Sequence, residues 1–451
     1  MRKYFGTDGI RRIANLELTP DLVFRVAKAG AYVLTKHTNH VPTILIGRDT
    51  RISGTLIESA MTAGFLSYGA NVKLVGVMPT PAVAYLTKKL NADASVVISA
   101  SHNTFEFNGV KYFSNKGMKI SDEIEEEIEE IIDSEKLSTL MAVGDKIGVA
   151  EDASDYVEKY VQFFKDIFGD ELKNAPLKIG IDTANGATYK VAERVFSELG
   201  LNFQIINHSP DGVNINKNCG STCLENIAKF VKENGLDLGI AYDGDGDRCL
   251  AVDENGDTMD GDIIMAILAE HLRKQNKLNQ DALVVTVMSN IGLKKYAENN
   301  QINLLTTKVG DRYVLEEMLK SGYNLGGEQS GHVIMLDYNP TGDGILTSLM
   351  LIRAILQKKM KASEMRKLVN IYPQVLINAK VSNDKKYDYE IDSEIKEKIE
   401  ELEKEFSGNG RVLIRPSGTE PKVRVMIEGE DQEYITKRAQ ELANFIEQKL
   451  Q

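Results

Sequence analysis

Short apolar runs alternate along most of the chain with stretches whose apolar positions recur every three or four residues. The run Thr43-Ile44-Leu45-Ile46-Gly47 reads as a buried strand, and residues 53–68 behind it read as a helix. Residues 71–77 are strand-like, 81–90 helical and 94–98 a strand again. This strand–helix–strand rhythm predicts a mostly parallel sheet with ligands at the C-terminal ends of its strands. Residues 122–133 predict an acidic helix with Ile124, Ile128 and Ile131 on one face and Ser121 as its N-cap. The rhythm restarts with a strand at 177–181 ending in Asp182-Thr183-Ala184-Asn185-Gly186, a helix over 191–199 and a strand at 238–241. A third cycle begins near Gly256, with a strand at 283–287, and Tyr372-Pro373-Gln374 reads as a linker. The last segment differs: a Glu- and Lys-rich helix over 391–406, strands at 411–414 and 423–427, and a C-terminal helix. The pattern predicts an α/β protein of three similar α/β domains and a smaller α+β domain, at residues 1–152, 153–254, 255–370 and 371–451.

Composition fits that picture. A chain of 451 residues, 42% hydrophobic and 27% charged, is neither disordered nor a membrane protein by composition. At roughly 150 residues per domain it holds three or four domains. No apolar run approaches the ~20 residues that span a bilayer. The first six residues turn polar and glycine-rich with no visible secretory signal, and three cysteines (Cys219, Cys223, Cys249) are too few for a disulfide framework. The expectation is a cytoplasmic protein. The net charge of −12 gives no general attraction to nucleic acid or anionic lipid. An anionic ligand would need local clusters of Arg, Lys and backbone N–H.

Five loops supply such chemistry. In Asp243-Gly244-Asp245-Gly246-Asp247-Arg248, three carboxylates alternate with glycines that let the chain curl until they converge. Their mutual repulsion calls for a divalent cation, and oxygen-only ligands favour Mg²⁺ or Ca²⁺. An EF-hand is excluded, because Arg248 stands where that loop needs glycine and both flanks read as strands. Ser99-Ala100-Ser101-His102-Asn103 places a serine beside a histidine at a strand end. That is a candidate nucleophile, though an ordinary turn explains this motif alone. Gly326-Gly327-Glu328-Gln329-Ser330-Gly331-His332 could hold vicinal sugar hydroxyls. Arg415-Pro416-Ser417-Gly418-Thr419-Glu420-Pro421, with Arg424 beyond, makes a phosphate cradle or a plain hairpin turn. Phe5-Gly6-Thr7-Asp8-Gly9-Ile10-Arg11, with Gly47-Arg48-Asp49-Thr50-Arg51, is a further candidate or a surface turn. Together they outline a phosphosugar enzyme.

In this order the motifs resemble the α-D-phosphohexomutase superfamily over essentially the whole chain. Gly327-Glu328-Gln329-Ser330-Gly331-His332, Val309-Gly310-Asp311-Arg312-Tyr313-Val314 and Cys219-Gly220-Ser221-Thr222 are similar to its bacterial glucosamine-phosphate branch. The resemblance implies four domains around a central cleft, the three α/β domains having mixed sheets. It also implies an isomerase that converts glucosamine 6-phosphate to glucosamine 1-phosphate, on the route to UDP-N-acetylglucosamine and peptidoglycan. By resemblance Ser101 is the phosphoserine, with His102 beside it. Asp243, Asp245 and Asp247 are Mg²⁺ ligands together with a phosphate oxygen on Ser101. Lys111, Arg248 and Arg11 line the phosphoserine, and His332 and Lys308 lie near the sugar. Glu328 and Ser330 hold sugar hydroxyls; Arg415, Ser417, Gly418, Thr419 and Arg424 hold the non-reacting phosphate. Glucosamine 1,6-bisphosphate or glucose 1,6-bisphosphate is the implied activator, a homodimer the implied assembly, and a diadenylate cyclase a candidate partner through some Gram-positive relatives.

The chain departs from the family pattern at Arg12 (usually glycine), Thr104 (usually proline), Phe107 (usually an acid) and Cys223-Leu224 (usually His-Pro). These positions leave two alternatives open beside the glucosamine mutase. One is a phosphomannomutase/phosphoglucomutase, and the other is a weakly active regulatory paralogue that binds phosphosugar.

Overall fold

The computed structural model describes residues 3–6, 8–417 and 420–451. It resolves into two compact units: residues 1–288 with 303–368, and residues 289–302 with 369–451.

The first unit contains three mixed sheets. The first has six strands in the order Ile10–Ile13, Phe107–Ser114, Ala94–Ile98, Thr43–Arg48, Asn71–Val77 and Ala150–Asp152. Its inner strands are parallel, while Phe107–Ser114 runs antiparallel to both of its neighbours. The second has five strands in the order Thr258–Met259, Cys249–Asp253, Leu238–Tyr242, Lys178–Asp182 and Asn202–Ile206. The third has four, Asn303–Thr307, Ala282–Thr286, Leu325–Gly327 and Val333–Met335. Each is parallel through its centre and out to one edge, and antiparallel at the other edge, so the sheets are mixed and the mostly parallel expectation holds for only part of each. Ala94–Ile98, Leu238–Tyr242 and Ala282–Thr286 are buried at every position, which explains their unbroken apolar runs.

Helix Pro20–Thr35 is absent from the sequence reading, although its start signal is present. Thr19 Oγ1 accepts from the Leu22 N–H at 3.3 Å, and Pro20 occupies the first turn. Its burial extends over Val23, Val26, Ala27, Ala29, Gly30, Ala31 and Val33, nearly all round, and that blurs the helical period. The acidic helix runs Asp122–Ile132 with Ile128, Ile131 and Ile132 buried. Ser121 sits at its N-cap but makes no capping bond with its side chain.

The second unit is an antiparallel sheet in the order Gln374–Lys380, Lys422–Gly429, Gly410–Pro416, packed with helices Ser393–Glu405 and Gln432–Leu450. Asp392 and Asp431 cap these helices, each accepting from two backbone N–H groups. Val423, Val425, Ile427, Ile435, Leu442 and Ile446 form its core. Helix Ile291–Asn299 belongs to this unit although it falls between two strands of the third sheet in sequence. Tyr372 is not a loose linker residue. Its N–H donates to Asn290 Oδ1 at 3.0 Å, its carbonyl accepts from Asn290 Nδ2 at 2.9 Å, and its hydroxyl accepts from Lys295 Nζ at 3.0 Å. No helix among the described residues is long and apolar enough to cross a membrane.

Candidate active site

Three strand ends of the first unit place its chemistry. Strand Ala94–Ile98 delivers Ser99, Ala100 and Ser101; the hairpin of Leu238–Tyr242 and Cys249–Asp253 presents Asp243 to Arg248; strand Thr43–Arg48 leads into Asp49 and Arg51. Ser101 is buried and adopts a left-handed backbone, φ 50°, that a non-glycine residue holds only where its surroundings impose it. Its Oγ donates to Asp243 Oδ2 at 2.7 Å.

Asp243, Asp245 and Asp247 are buried, each with a carboxylate oxygen within 4.8 Å of the other two. Burial, then the charges of Asp247 and Asp245, pushes Asp243 well above the usual carboxylate range. Burial opposes ionisation of Asp247 as well, but His332, Lys111 and Arg248 outweigh it and hold that carboxyl low. Asp245 Oδ1 and Asp247 Oδ1 are buried without a hydrogen-bond partner. Orphaned hard oxygens converging on one point fit a divalent cation that prefers oxygen.

Lys111, on strand Phe107–Ser114, is 2% exposed. Its Nζ lies 2.9 Å from Asp245 Oδ2, 3.0 Å from Asp8 Oδ2 and 3.8 Å from Asp247 Oδ2. Burial works against its charge, but these carboxylates prevail and raise its pKa above the ordinary lysine value. Arg248 donates its N–H to Asp243 Oδ1 at 3.2 Å, and its buried Nε has no hydrogen-bond partner. Arg11 Nη1 donates to Asn103 Oδ1 at 2.9 Å and Nη2 pairs with Asp8 at 3.0 Å. His102 Nδ1 is 3.4 Å from Ser101 Oγ, and burial, then Arg248 and Arg11, pushes its pKa down to about 4, so the ring is neutral at neutral pH. His332 is buried with Nδ1 3.6 Å from Asp247 and Nε2 3.4 Å from Asp311, and Nε2 accepts from the Gly342 N–H at 3.0 Å.

The structure thus brings Ser101, His102, Lys111, Arg11, Arg248, His332 and the three aspartates together. Around them stand residues that no motif marked for a role. Thr80 Oγ1 donates to Asp245 Oδ2 at 2.7 Å. Lys119 joins Asp8 at 2.5 Å to Asp311 at 2.6 Å. Asp8 and Asp311 stand in motifs already noted; nothing local marks Thr80 or Lys119.

Glu328 Oε1 accepts from the Gly310 N–H at 3.1 Å, and burial, then Asp311, raises its pKa. Ser330 Oγ is buried with no hydrogen-bond partner, a hydroxyl left for a ligand. Gln329 Nε2 donates to Asp260 Oδ2 at 3.2 Å. Lys308 is exposed, its Nζ 6.0 Å from the centroid of the Tyr313 ring.

In the second unit Arg415 and Arg424 are directly paired across antiparallel strands. Burial, then Arg424, lowers the pKa of Arg415, and its buried Nε has no hydrogen-bond partner. Two like charges face to face destabilise a sheet unless an anion lies between them. Ser417 is buried and its Oγ accepts from the Glu420 N–H at 3.3 Å. Gly418 and Thr419 lie outside the described residues.

Four descriptions of phosphoglucomutase/phosphomannomutase match in order: alpha/beta/alpha domain I at residues 2–139, domain II at 154–256, domain III at 260–372 and the C-terminal domain at 376–445. The chain is 55% identical over 452 residues to the phosphoglucosamine mutase of Acetivibrio thermocellus, with full coverage of both chains. Among solved structures, it is similar to a phosphoglucomutase/phosphomannomutase family protein from Burkholderia thailandensis (TM-score 0.80, 24% identity, covering 98% and 97% of the two chains). It is also similar in fold to Aspergillus fumigatus N-acetylphosphoglucosamine mutase, solved with GlcNAc-6P and magnesium (TM-score 0.71, 17% identity, 100% and 96%).

Proposed function

The chain belongs to the phosphoglucomutase/phosphomannomutase family, and on that premise we propose that it interconverts glucosamine 6-phosphate and glucosamine 1-phosphate, on the route to UDP-N-acetylglucosamine. The observation that carries this reading is the buried Ser101 hydroxyl 2.7 Å from Asp243, at the rim of a three-carboxylate cluster flanked by Lys111 and Arg248. A protein that only bound phosphosugar would have no use for a serine held there.

In this reading Ser101 is the phosphoryl donor. The free sugar hydroxyl attacks phosphorus; the new O–P bond forms as the P–Oγ bond breaks, the sugar hydroxyl proton leaves to a base, and Ser101 Oγ takes up a proton. The product is glucosamine 1,6-bisphosphate. It turns end over end and returns its other phosphoryl group to Ser101: Oγ gives up its proton as the new Oγ–P bond forms, the sugar O–P bond breaks, and the sugar oxygen released there takes a proton. The loose transition state of phosphoryl transfer spreads negative charge over the peripheral oxygens. Lys111, Arg248 and Arg11 are the chain's own groups for that charge, preorganised in a buried site where they act most strongly. Asp243, Asp245 and Asp247 would hold Mg²⁺, whose charge when bound offsets that of the donor phosphate. Once Ser101 is phosphorylated, its Oγ no longer has a proton to donate to Asp243, and two anions meet there. That is the arrangement in which a cation fits best.

We assign Glu328 and Ser330 to sugar hydroxyls, His332 and Lys308 to the sugar's surroundings, and Arg415, Ser417, Gly418, Thr419 and Arg424 to the non-reacting phosphate. Activation by the 1,6-bisphosphate, a homodimer and a cytoplasmic location accompany this reading.

The test is initial rates with glucosamine 1-phosphate and glucose 1-phosphate, with Mg²⁺ and catalytic 1,6-bisphosphate. A large preference for the amino sugar, abolished in Ser101→Ala, is expected. Equal or reversed rates would move the activity to hexose phosphates. No rate from protein carrying phosphate on Ser101 would leave only binding.

A further inference from the structure

We propose that Asn216 is a positioning residue for the Ser101 loop, reaching it from the second sheet's side of the first unit; the proposal rests on Ser101 as the phosphoryl donor. Two carbonyl oxygens of that loop, those of Ser101 and Asn103, each accept two N–H groups. Arg51 Nη2 donates to them at 3.0 and 2.8 Å, and Asn216 Nδ2 at 2.8 and 2.9 Å. Two carbonyls offer four lone pairs, and four N–H bonds fill them.

The two donors are anchored separately. Arg51 is buried and pairs with Asp49 at 2.8 Å. Asp49 accepts from Ser99 Oγ at 2.6 Å, and Ser99 Oγ accepts from the Ser101 N–H at 2.9 Å. That half of the clamp belongs to the first sheet's own loops. Asn216 belongs to the segment after strand Asn202–Ile206, and its N–H donates to the Ala184 carbonyl at 2.9 Å. The same segment meets the first sheet's loops again. The Ile52 N–H donates to the Gly212 carbonyl at 2.9 Å, and Thr50 Oγ1 donates to the neighbouring Asn185 carbonyl at 2.6 Å.

Two further observations give the amide its purpose. Asn216 Oδ1 is buried with no hydrogen-bond partner, so the side chain is held for its NH₂ alone. And a Cβ on Gly244 would lie 2.6 Å from both Asn216 Nδ2 and the Ser101 carbonyl oxygen. The aspartate loop therefore closes directly over the Asn216–Ser101 bond, and no side chain fits between. The serine loop, the aspartate loop and Asn216 share one contact, so the amide sets how Ser101 Oγ stands against Asp243.

Asn216 itself has φ 57°, which glycine and aspartate also tolerate. In the full-length protein, Asn216→Gly removes both bonds without backbone strain, and Asn216→Asp turns an oxygen toward the two carbonyls. With glucosamine 1-phosphate, kcat falls about 10- to 100-fold in Asn216→Gly, with KM changed less than about threefold, as expected when geometry is lost and binding kept. Asn216→Asp falls further, and Asn216→Gln, which keeps the amide a methylene away, lies between Asn216→Gly and the parent. Hydrogen–deuterium exchange of residues 101–104 becomes faster in the glycine and aspartate variants. A kcat within twofold of the parent in folded Asn216→Gly overturns the proposal, as does unchanged exchange at 101–104 in either variant. So does a loss of kcat that merely follows the melting temperature across the three. The exchange measurement needs no turnover. A parent without mutase activity would fail the assigned reaction, while the exchange of 101–104 would still decide the positioning role.

Discussion

Lys111→Met removes a buried ammonium in direct contact with Asp245 and Asp8, keeping most of the side-chain volume. The lysine is 2% exposed and lies 2.9 Å from Asp245, itself 1% exposed, so water cannot replace it there; Asp8, 3.0 Å away, is partly exposed. Asp8 retains Lys119 at 2.5 Å and Arg11 at 3.0 Å. Asp245 retains only the Thr80 hydroxyl at 2.7 Å among these neighbours, so the aspartate cluster bears the loss. Removing one partner of a buried pair costs about 3–5 kcal/mol. If the 451-residue chain melts as one unit at ~2.1 cal/mol/K per residue, that lowers Tm by roughly 3–5 °C. The assay is thermal unfolding in EDTA and again in excess Mg²⁺. In the parent, Lys111 offsets much of the aspartates' repulsion; in the variant Arg248 and His332 are left to do so until a cation binds. The gain in Tm on adding Mg²⁺ is therefore larger in Lys111→Met than in the parent, while turnover falls by two orders of magnitude or about that, as for loss of a preorganised charge. A drop below about 1 °C in EDTA, with the same Mg²⁺ gain in both proteins, would refute the claim that Lys111 and a cation compensate the same charge.

Two other substitutions test the second unit and the first core. Arg415→Leu relieves the Arg415–Arg424 pairing across the sheet. Without ligand, stability should hold or rise by a few tenths of a kcal/mol, whereas KM for glucosamine 6-phosphate should rise about tenfold or more as a charge-assisted bond is lost; an unchanged KM would remove the phosphate assignment. Gly30→Ala pits propensity against packing in helix Pro20–Thr35. Alanine is favoured by ~1 kcal/mol in a helix interior, but its Cβ would lie 2.4 Å from the hydroxyl oxygen and 2.5 Å from Cζ of Tyr112, a buried ring whose hydroxyl is fixed to the Val26 carbonyl at 2.9 Å. Packing should win, destabilising by about 1–3 kcal/mol in denaturant unfolding; a stabilised variant would show that the ring yields.

What was legible in the sequence was what is local in the chain. Asp243, Asp245 and Asp247 fall within five residues, so pattern alone marks them as a cation site. Ser101 follows a strand that is buried at every position, but its motif alone reads as an ordinary turn, and only the resemblance of the ordered motifs singles it out. The clamp on Ser101 was not legible, because Arg51 and Asn216 lie 50 and 115 positions away; Arg51 stood in a candidate loop, but nothing there linked it to Ser101, and nothing local marked Asn216. The same holds for Lys119, which reaches Asp311 across 192 positions. Strands Ile10–Ile13 and Ala150–Asp152 escaped because edge strands of four and three residues are too short for a period to register. Helix Ile291–Asn299 reads from sequence as part of the third cycle. It joins the second unit through contacts no period reports: the Ile291 N–H donates to Glu428 Oε2 at 3.2 Å, and Asn290 holds Tyr372.

The four departures from the family pattern bear on whether this chain is an active enzyme or a weakened relative, and their places decide it. Arg12 sends Nη2 to the Lys3 carbonyl at 2.7 Å, away from the aspartates, while the neighbouring Arg11 reaches Asn103. Thr104 offers Arg51 its backbone carbonyl, a group that proline would offer equally, and its side chain bonds to Glu106. Phe107 pairs with Ile13 at the start of the strand that carries Lys111, and the register beyond it, Val97 opposite Lys111, is unbroken. Cys223 Sγ donates to Glu225 Oε2 at 3.1 Å at the start of helix Glu225–Asn234. None of the four touches Ser101 Oγ, a carboxylate of the cluster or Lys111 through its side chain. A chain released from catalysis would be free to lose an aspartate, the buried lysine or the strained serine first, since each is costly to keep buried. At these four places the side chain makes no contact with the donor or its charges.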